Sequence, residues 1–347
     1  MKTWLRAAIV VIGACAIGPV AGVGHDGAAS EIRPLNVCPP GAPAPDCDFS
    51  SLAAAVAAAP PGATIVLRPG IYREAAILRA DGVTLRAQPG AHVTGAAADD
   101  KAALVVKGDD TVIEGLECSR IWVRDGNGAC VRAEGVNLTL RRVYFHDGQS
   151  GILGGRGRIL IEDSTFERLG GDEKIALGRA HAIYIGRKAD ELILRRSRIV
   201  SSKEEGHGVK SRARRTVIEN NVIASLEGRD SRLIDVPNGG DVVIRGNLLE
   251  KGPNSSNPDF VGVGLERGRD PAMDPVVNST VIEGNTFIVD GFEGARMFRV
   301  RNVPRPSVSN NTFVGGTPYR RGGNRWFRDR TAADLPPYPA LPRWPGR

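Results

Sequence analysis

Apolar residues in this chain gather in short clusters, and over most of its length they lack the three-to-four-residue period of a surface helix. The clusters are Val112-Ile113, Leu138-Thr139-Leu140, Leu160-Ile161, Ile193-Leu194, Val217-Ile218, Val243-Ile244, Val281-Ile282 and Ser307-Val308. The last residue of each serves as a marker: 113, 140, 161, 194, 218, 244, 282 and 308, in steps of 27, 21, 33, 24, 26, 38 and 26. Five places beyond every marker stands Cys, Phe, Ile or Leu. Units this short leave no room for a strand–helix–strand crossover, and their Val, Ile and Thr content favours strands. A fixed internal spacing repeated at such intervals marks a solenoid of stacked coils, so the prediction is an all-β parallel helix of strands.

Three places after the last markers stand Asn221, Asn247, Asn285 and Asn311. Coils in register about 4.8 Å apart would let these amides hydrogen-bond along a stack. Upstream, Asp48-Phe49-Ser50-Ser51 leads into Leu52 to Ala59 and then Pro60-Pro61, the pattern of a capped, alanine-rich helix stopped by proline. A solenoid needs its open end covered, and this helix is the expected N-terminal cap.

The run from Ser51 to Tyr72, with AVAAAPPGATIVLRPGIY, and the later turns VIEGNTF and VSNNTF resemble the pectin-lyase-like superfamily of right-handed parallel β-helix proteins. The resemblance spans 48–316 and implies a right-handed coil. That superfamily holds lyases, hydrolases, epimerases and adhesive proteins, so activity must come from the site. The expected layout is an export signal over 1–24, an N-terminal segment over 25–47, the β-helix over 48–316 and a basic, proline-rich tail over 317–347.

Composition adds the compartment. Lys2 and Arg6 precede an apolar run from Ala7 to Val23 that ends in small residues, the pattern of a cleavable signal. Export to the periplasm or the medium is expected, with no stable membrane insertion after cleavage. A lipobox-like Ile12-Gly13-Ala14-Cys15 offers an anchored variant. Export permits disulfides, the simplest pairing being Cys38 with Cys47 and Cys118 with Cys130. No CxxC pair marks a zinc site. Removal of the signal takes the formal charge from +7 to +5, still basic, which favours an anionic partner. Nucleic acid is not expected, because aromatics are 5 % and no DNA- or RNA-binding motif occurs. An acidic polysaccharide is the expected partner and a monomer the expected state.

The two longest steps locate the chemistry. Their extra residues, 167–179 and 251–278, bracket the coils between about 180 and 250, and insertions in a solenoid become loops on one face. Aligned on one another, His181-Ala182-Ile183-Tyr184, His207-Gly208-Val209-Lys210 and Ser231-Arg232-Leu233-Ile234 put Tyr184, Lys210 and Arg232 outward, with Arg212 beside Lys210. Such a set suits β-elimination: arginine neutralises a uronate carboxylate, and lysine and tyrosine move the protons. Tyr184, Lys210 and Arg232 are therefore the candidate catalytic residues. His181, His207, Arg212, Asp235 and Glu266 are candidate substrate contacts, the two carboxylates also for a cation such as calcium. Gly206-His207-Gly208 resembles an element of the polygalacturonase-like hydrolases, but the aspartates they carry on the preceding coil have no counterpart between His181 and Gly186. Lys210-Ser211 resembles the Lys-Ser of the alginate and chondroitin lyases of this fold; Arg232 stands 22 residues on, without their adjoining histidine or paired calcium ligands. The Asp-Pro-His-Asp motif of mannuronan epimerases is absent. These comparisons leave a lyase, or a C5-epimerase, ahead of a hydrolase or a non-catalytic carbohydrate-binding β-helix.

Overall fold

The computed structural model describes residues 33–41, 46–172, 177–292 and 294–343; the expected export signal and Cys15 lie outside them. The chain winds as a right-handed parallel β-helix with three ladders of parallel strands. The first face is the ladder of markers. Ile113, Leu140, Ile161, Leu194, Ile218, Ile244, Ile282 and Val308 pair one on the next, and Ile65 and Leu85 extend the series toward the N-terminus. The residues five places on form the second face: Cys118, Phe145, Phe166, Ile199, Ile223, Leu249, Phe287 and Phe313 pair in the same order. The third face closes each coil through Leu104, Val131, Ile152, Ile183, Val209, Ile234 and Val261. All of these inward side chains pack into one core.

The constant spacing of five has a backbone cause. Two residues after each marker the chain turns through a left-handed residue, with φ between +49° and +69° at Gly115, Arg142, Asp163, Arg196, Asn220, Gly246, Gly284 and Asn310. One such residue bends the chain sharply, and the strand of the second face begins within two residues. The next position points inward. There the asparagines stack as expected: the Oδ1 atoms of Asn247, Asn285 and Asn311 each accept from the backbone N–H and the amide of the preceding asparagine, at 2.9 to 3.0 Å. Asn324 continues the stack at one end, and Ser197 and Ser164 at the other.

The helix is Leu52–Ala58, with Ser51 Oγ accepting from the Ala54 N–H, and it buries Leu52, Ala55 and Val56 over the first coil. Cys38–Cys47 and Cys118–Cys130 are both bonded. The β-helix does not stop at 316. Arg325–Phe327 adds a rung on Thr312–Val314, and Trp326 sits on Phe313. Beyond it the proline-rich segment is tied down: Arg330 pairs with Asp290 at 2.6 Å and donates to the carbonyls of Pro336 and Ala340. Leu335 and Leu341 pack on Leu248 and Ile288. The tail is therefore a C-terminal cover, which the end of the apolar repeat did not indicate.

Candidate functional site

The site is built on the third face, where strand alternation turns every second side chain outward. Tyr184, Lys210, Asp235, Gly262 and Arg299 form one outward column in register. Val209 pairs with Ile234, one residue later than the sequence alignment had it. Asp235 therefore stands over Lys210, and Arg232 follows His181 and His207 in the line behind. Leu233 and Ile234 are both buried, so the apolar pair by itself allowed either register.

His181 and His207 stack with ring centroids 4.8 Å apart and 13° between planes. The His207 N–H donates to His181 Nδ1 at 3.0 Å, and the Arg232 N–H donates to His207 Nδ1 at 3.1 Å. An Nδ1 that accepts leaves the neutral ring's proton on Nε2. Burial holds both imidazoles well below their usual range, with Lys210 and nearby cations adding to it. These rings, expected as substrate contacts, lie under the strand, hold the backbone of successive coils and line neither cleft described below. His207 Nε2 faces Asp235 Oδ2 at 3.5 Å.

Asp235 is 2 % exposed, and its Oδ1 has no hydrogen-bond partner. Burial raises its carboxyl, against the pull of Lys210 and Arg232. Arg232 lies across the column instead of pointing away from it. Its Nε and Nη2 donate to Asp259 Oδ2 at 3.3 and 3.2 Å, and Nη1 is 3.5 Å from Asp235 Oδ1. Gly262 makes this possible, since a Cβ there would meet Arg232 Cδ at 2.7 Å and Asp235 Oδ1 at 2.9 Å. Asp259 also holds Arg296, at 2.6 Å.

On the other side, Lys210 Nζ lies 5.5 Å from the centre of the Tyr184 ring. Arg212 Nε donates to Tyr184 Oη at 3.1 Å, Nη1 donates to Asn238, and Nη2 donates to Glu266 at 2.7 Å. Burial alone would raise Glu266, but the Arg212 bond and charge outweigh it and hold the carboxyl below its usual range. With three protein partners, Arg212 positions Tyr184 and the loop that carries Glu266. The phenol accepts from Arg212, so its own hydrogen is left for another partner. Glu266 and Asp235 each face an arginine, and no cation cage forms between them.

The insertion after the Asp259–Val263 strand overhangs this column. Asn238 Nδ2 donates to Asp274 Oδ1 at 3.0 Å, and Arg267 Nη1 donates to the Pro275 carbonyl at 3.0 Å. Two clefts open beneath it. One, of about 430 Å³, is lined by Tyr184, Arg187, Arg212, Asn238, Glu266 and Arg269 among others. The second, of about 830 Å³, is lined by Arg156, Arg187, Lys188, Arg212 and Arg214, with Asp274 and the exposed Val276 and Val277 at its loop side. Arg187 and Arg212 border both. The described residues of the other insertion, 167–179, line neither cleft.

Sequence reasoning missed Arg187, Lys188, Arg269, Asn238 and Asp259. Arg187 and Lys188 follow Tyr184 on its own strand, and Arg269 lies in an insertion that the step lengths had flagged. Asn238 and Asp259 left no signal in the repeat.

Neither a protein-family model nor a curated protein matches the chain. Among solved structures, an alginate lyase from Paenibacillus sp. str. FPU-7 aligns at 17 % identity over 80 % of this chain and 93 % of that one, with a TM-score of 0.45. Pectate lyase Pel9A aligns at 14 % identity over 81 % and 80 % of the two chains, with a TM-score of 0.43. A mutant pectin methylesterase in complex with a hexasaccharide aligns at 15 % identity over 91 % and 99 %, with a TM-score of 0.42. The strand ladders decide the architecture: the chain is a right-handed parallel β-helix protein, the fold implied by its resemblance to the pectin-lyase-like superfamily.

Proposed function

We propose that the protein is an exported lyase that cleaves an acidic, uronate-containing polysaccharide by β-elimination. The observation that carries the reading is the meeting of Lys210 and Tyr184, 5.5 Å apart from nitrogen to ring centre, with Tyr184 lining a cleft beside Arg187, Arg212 and Arg269 and a second cleft lined by Arg156, Arg187, Lys188, Arg212 and Arg214. Positive charge predominates over Glu266, Asp270 and Asp274 in these linings, and such a groove concentrates a polyanion. The cleft arginines neutralise the uronate carboxylate and so acidify the adjoining C5–H. Lys210 takes that proton, the C5–H electrons form the C4=C5 double bond, and the C4–O4 bond breaks. The leaving oxygen takes a proton from Tyr184. Arg212 acts through Tyr184, and the pair of Arg232 with Asp259 fixes the floor beside Lys210.

Incubation with a panel of uronans, followed by the ultraviolet absorbance of unsaturated products, tests the reading. Turnover is expected, and Lys210→Ala should lower kcat about 100- to 10,000-fold, the usual worth of a positioned proton-transfer group. Absence of unsaturated product on every uronan, or full activity in Lys210→Ala, sinks the assignment. Reducing ends without unsaturation would make the protein a hydrolase. Inverted C5 centres without cleavage would make it an epimerase, which begins with the same proton abstraction. Retained binding without turnover would leave a carbohydrate-binding β-helix.

A further inference from the structure

A second cluster of chemistry-bearing side chains lies on the second face, away from the clefts. The strands Ala91–Thr94, Glu117–Ser119 and Tyr144–His146 are successive rungs there. They bring together His92, Glu117 and His146, one from each of three coils. Glu117 Oε1 is 3.2 Å from His146 Nε2 and 3.6 Å from His92 Nδ1, and the three residues each offer a ligand atom within 4.8 Å of the others. Ligands about 2.0–2.2 Å from a tetrahedral zinc ion stand roughly 3.3–3.5 Å apart, so the two edges at 3.2 and 3.6 Å need only a small adjustment.

The far nitrogens are also held. His146 Nδ1 is 2.7 Å from Asp147 Oδ2, and His92 Nε2 is 2.8 Å from Ser119 Oγ. Tyr144 stacks on the His146 ring at 4.2 Å. A metal-binding imidazole commonly donates its other N–H to a carboxylate or similar acceptor, which fixes the ring and aims the lone pair. When Asp147 and Ser119 take those protons, both near nitrogens turn lone pairs toward a carboxylate oxygen. Acceptor then faces acceptor, and a cation between them turns repulsion into attraction. All three side chains are partly exposed, so an ion has access.

We infer that His92, Glu117 and His146 form a site for a first-row divalent metal ion of the zinc type, with Asp147 and Ser119 orienting the imidazoles. Two imidazoles and one carboxylate suit zinc, cobalt, nickel or copper and disfavour calcium, which takes oxygen ligands. The ion would tie three successive coils together and keep a further coordination position for an exogenous ligand. No sequence motif announces the site, because its ligands are 25 and 29 residues apart and meet only through coil stacking.

The test is metal titration of untagged, EDTA-stripped protein. Competition against a chromophoric chelator should show one equivalent of Zn²⁺ held more tightly than about 10 µM, undisturbed by excess Ca²⁺. Co²⁺ should give the intense visible bands of a four- or five-coordinate ion. The double variant His92→Gln/His146→Gln should lose that equivalent. Asp147→Asn, outside the ligand set, should keep the stoichiometry and weaken it about 10- to 100-fold. No stoichiometric Zn²⁺ binding by the wild-type protein, a weak octahedral Co²⁺ spectrum, or undiminished binding in the folded double variant would overturn the proposal. Should the double variant fail to fold, the wild-type cobalt spectrum and Asp147→Asn decide it.

Discussion

Replacing Asn247 with leucine tests whether the asparagine stack holds the coils through hydrogen bonds or through shape. Asn247 is fully buried. Its Oδ1 accepts from the Asn221 backbone N–H at 2.9 Å and from the Asn221 amide at 3.0 Å. Its own amide donates to the Ile218 carbonyl at 2.8 Å and to Asn285 Oδ1 at 2.9 Å. Leucine keeps the branched skeleton, with bulkier methyl ends, and removes all four bonds. Asn285 Oδ1 keeps the backbone N–H of residue 247, and the Asn221 amide keeps the carbonyl of Leu194. Two donors, the Asn221 backbone N–H and its second amide hydrogen, are left without partners in a closed core. Each orphaned buried donor costs about 1–3 kcal/mol, a total of about 2–6 kcal/mol. Burial of the apolar side chain offsets part of this, so about 2–4 kcal/mol is expected to be lost. Urea unfolding followed by circular dichroism reads it as a lower midpoint at unchanged slope. The exposed Asn254→Leu serves as the reference and should move stability by less than about 0.5 kcal/mol. If Asn247→Leu unfolds no earlier than that reference, the stack contributes shape alone and the reasoning fails.

Gly262→Ala forces a Cβ to within 2.7 Å of Arg232 Cδ and 2.9 Å of Asp235 Oδ1; a loss of about 1–3 kcal/mol and a drop in uronan turnover are expected, and unchanged melting and kinetics would refute it. Glu250 is buried beside Asp290 and Asp230, which pushes its carboxyl up to about 8. A raised folded-state carboxyl favours folding fully below the unfolded value near 4.5 and loses that contribution as pH climbs through about 8, so Glu250→Gln should flatten the fall in midpoint over this window, on the order of a few kcal/mol. A wild-type midpoint that stays level between those limits would contradict it. Arg330→Ala removes the partner of the nearly buried Asp290 and the donor to the carbonyls of Pro336 and Ala340. Limited proteolysis should then cleave the 331–343 segment first, with the coils intact; an unchanged digestion pattern would mean that the cover is held by its leucines.

The scaffold could be read from sequence because its constraints are local and repeated. One left-handed residue two places after each marker from Ile113 to Val308 fixes the spacing of five, whether Gly, Asn, Asp or Arg supplies it. Every inward position must be apolar or belong to the stack. Seven step lengths therefore place the strands, and the register of both repeated faces follows without error. The third face obeys no such rule. Its distance from the first face varies with the loops, and in Ala129–Arg141, Ser150–Glu162 and Ile183–Arg195 the two faces run together as one 13-residue strand. Its register had to be taken from side-chain character, and the adjacent apolar pair Leu233-Ile234 allows two choices. A slip of one residue reverses which side chains face out. That is why Arg232 was expected among the outward side chains, where Asp235 stands instead; His181 and His207 were aligned correctly, and their proposal as substrate contacts rested on residue type. Tyr184 and Lys210 escaped the error because Ile183 and Val209 each stand between a small residue and a polar one, which leaves one choice of large inward side chain. The polar partners Asn238 and Glu266 lie outside the strands, and Asp259 opens a strand within the longest step, where no periodicity places them. In a solenoid the repeats are legible because each is constrained by its neighbours. The working groups sit where that constraint is released, so the same departures from the repeat that locate the site conceal its geometry.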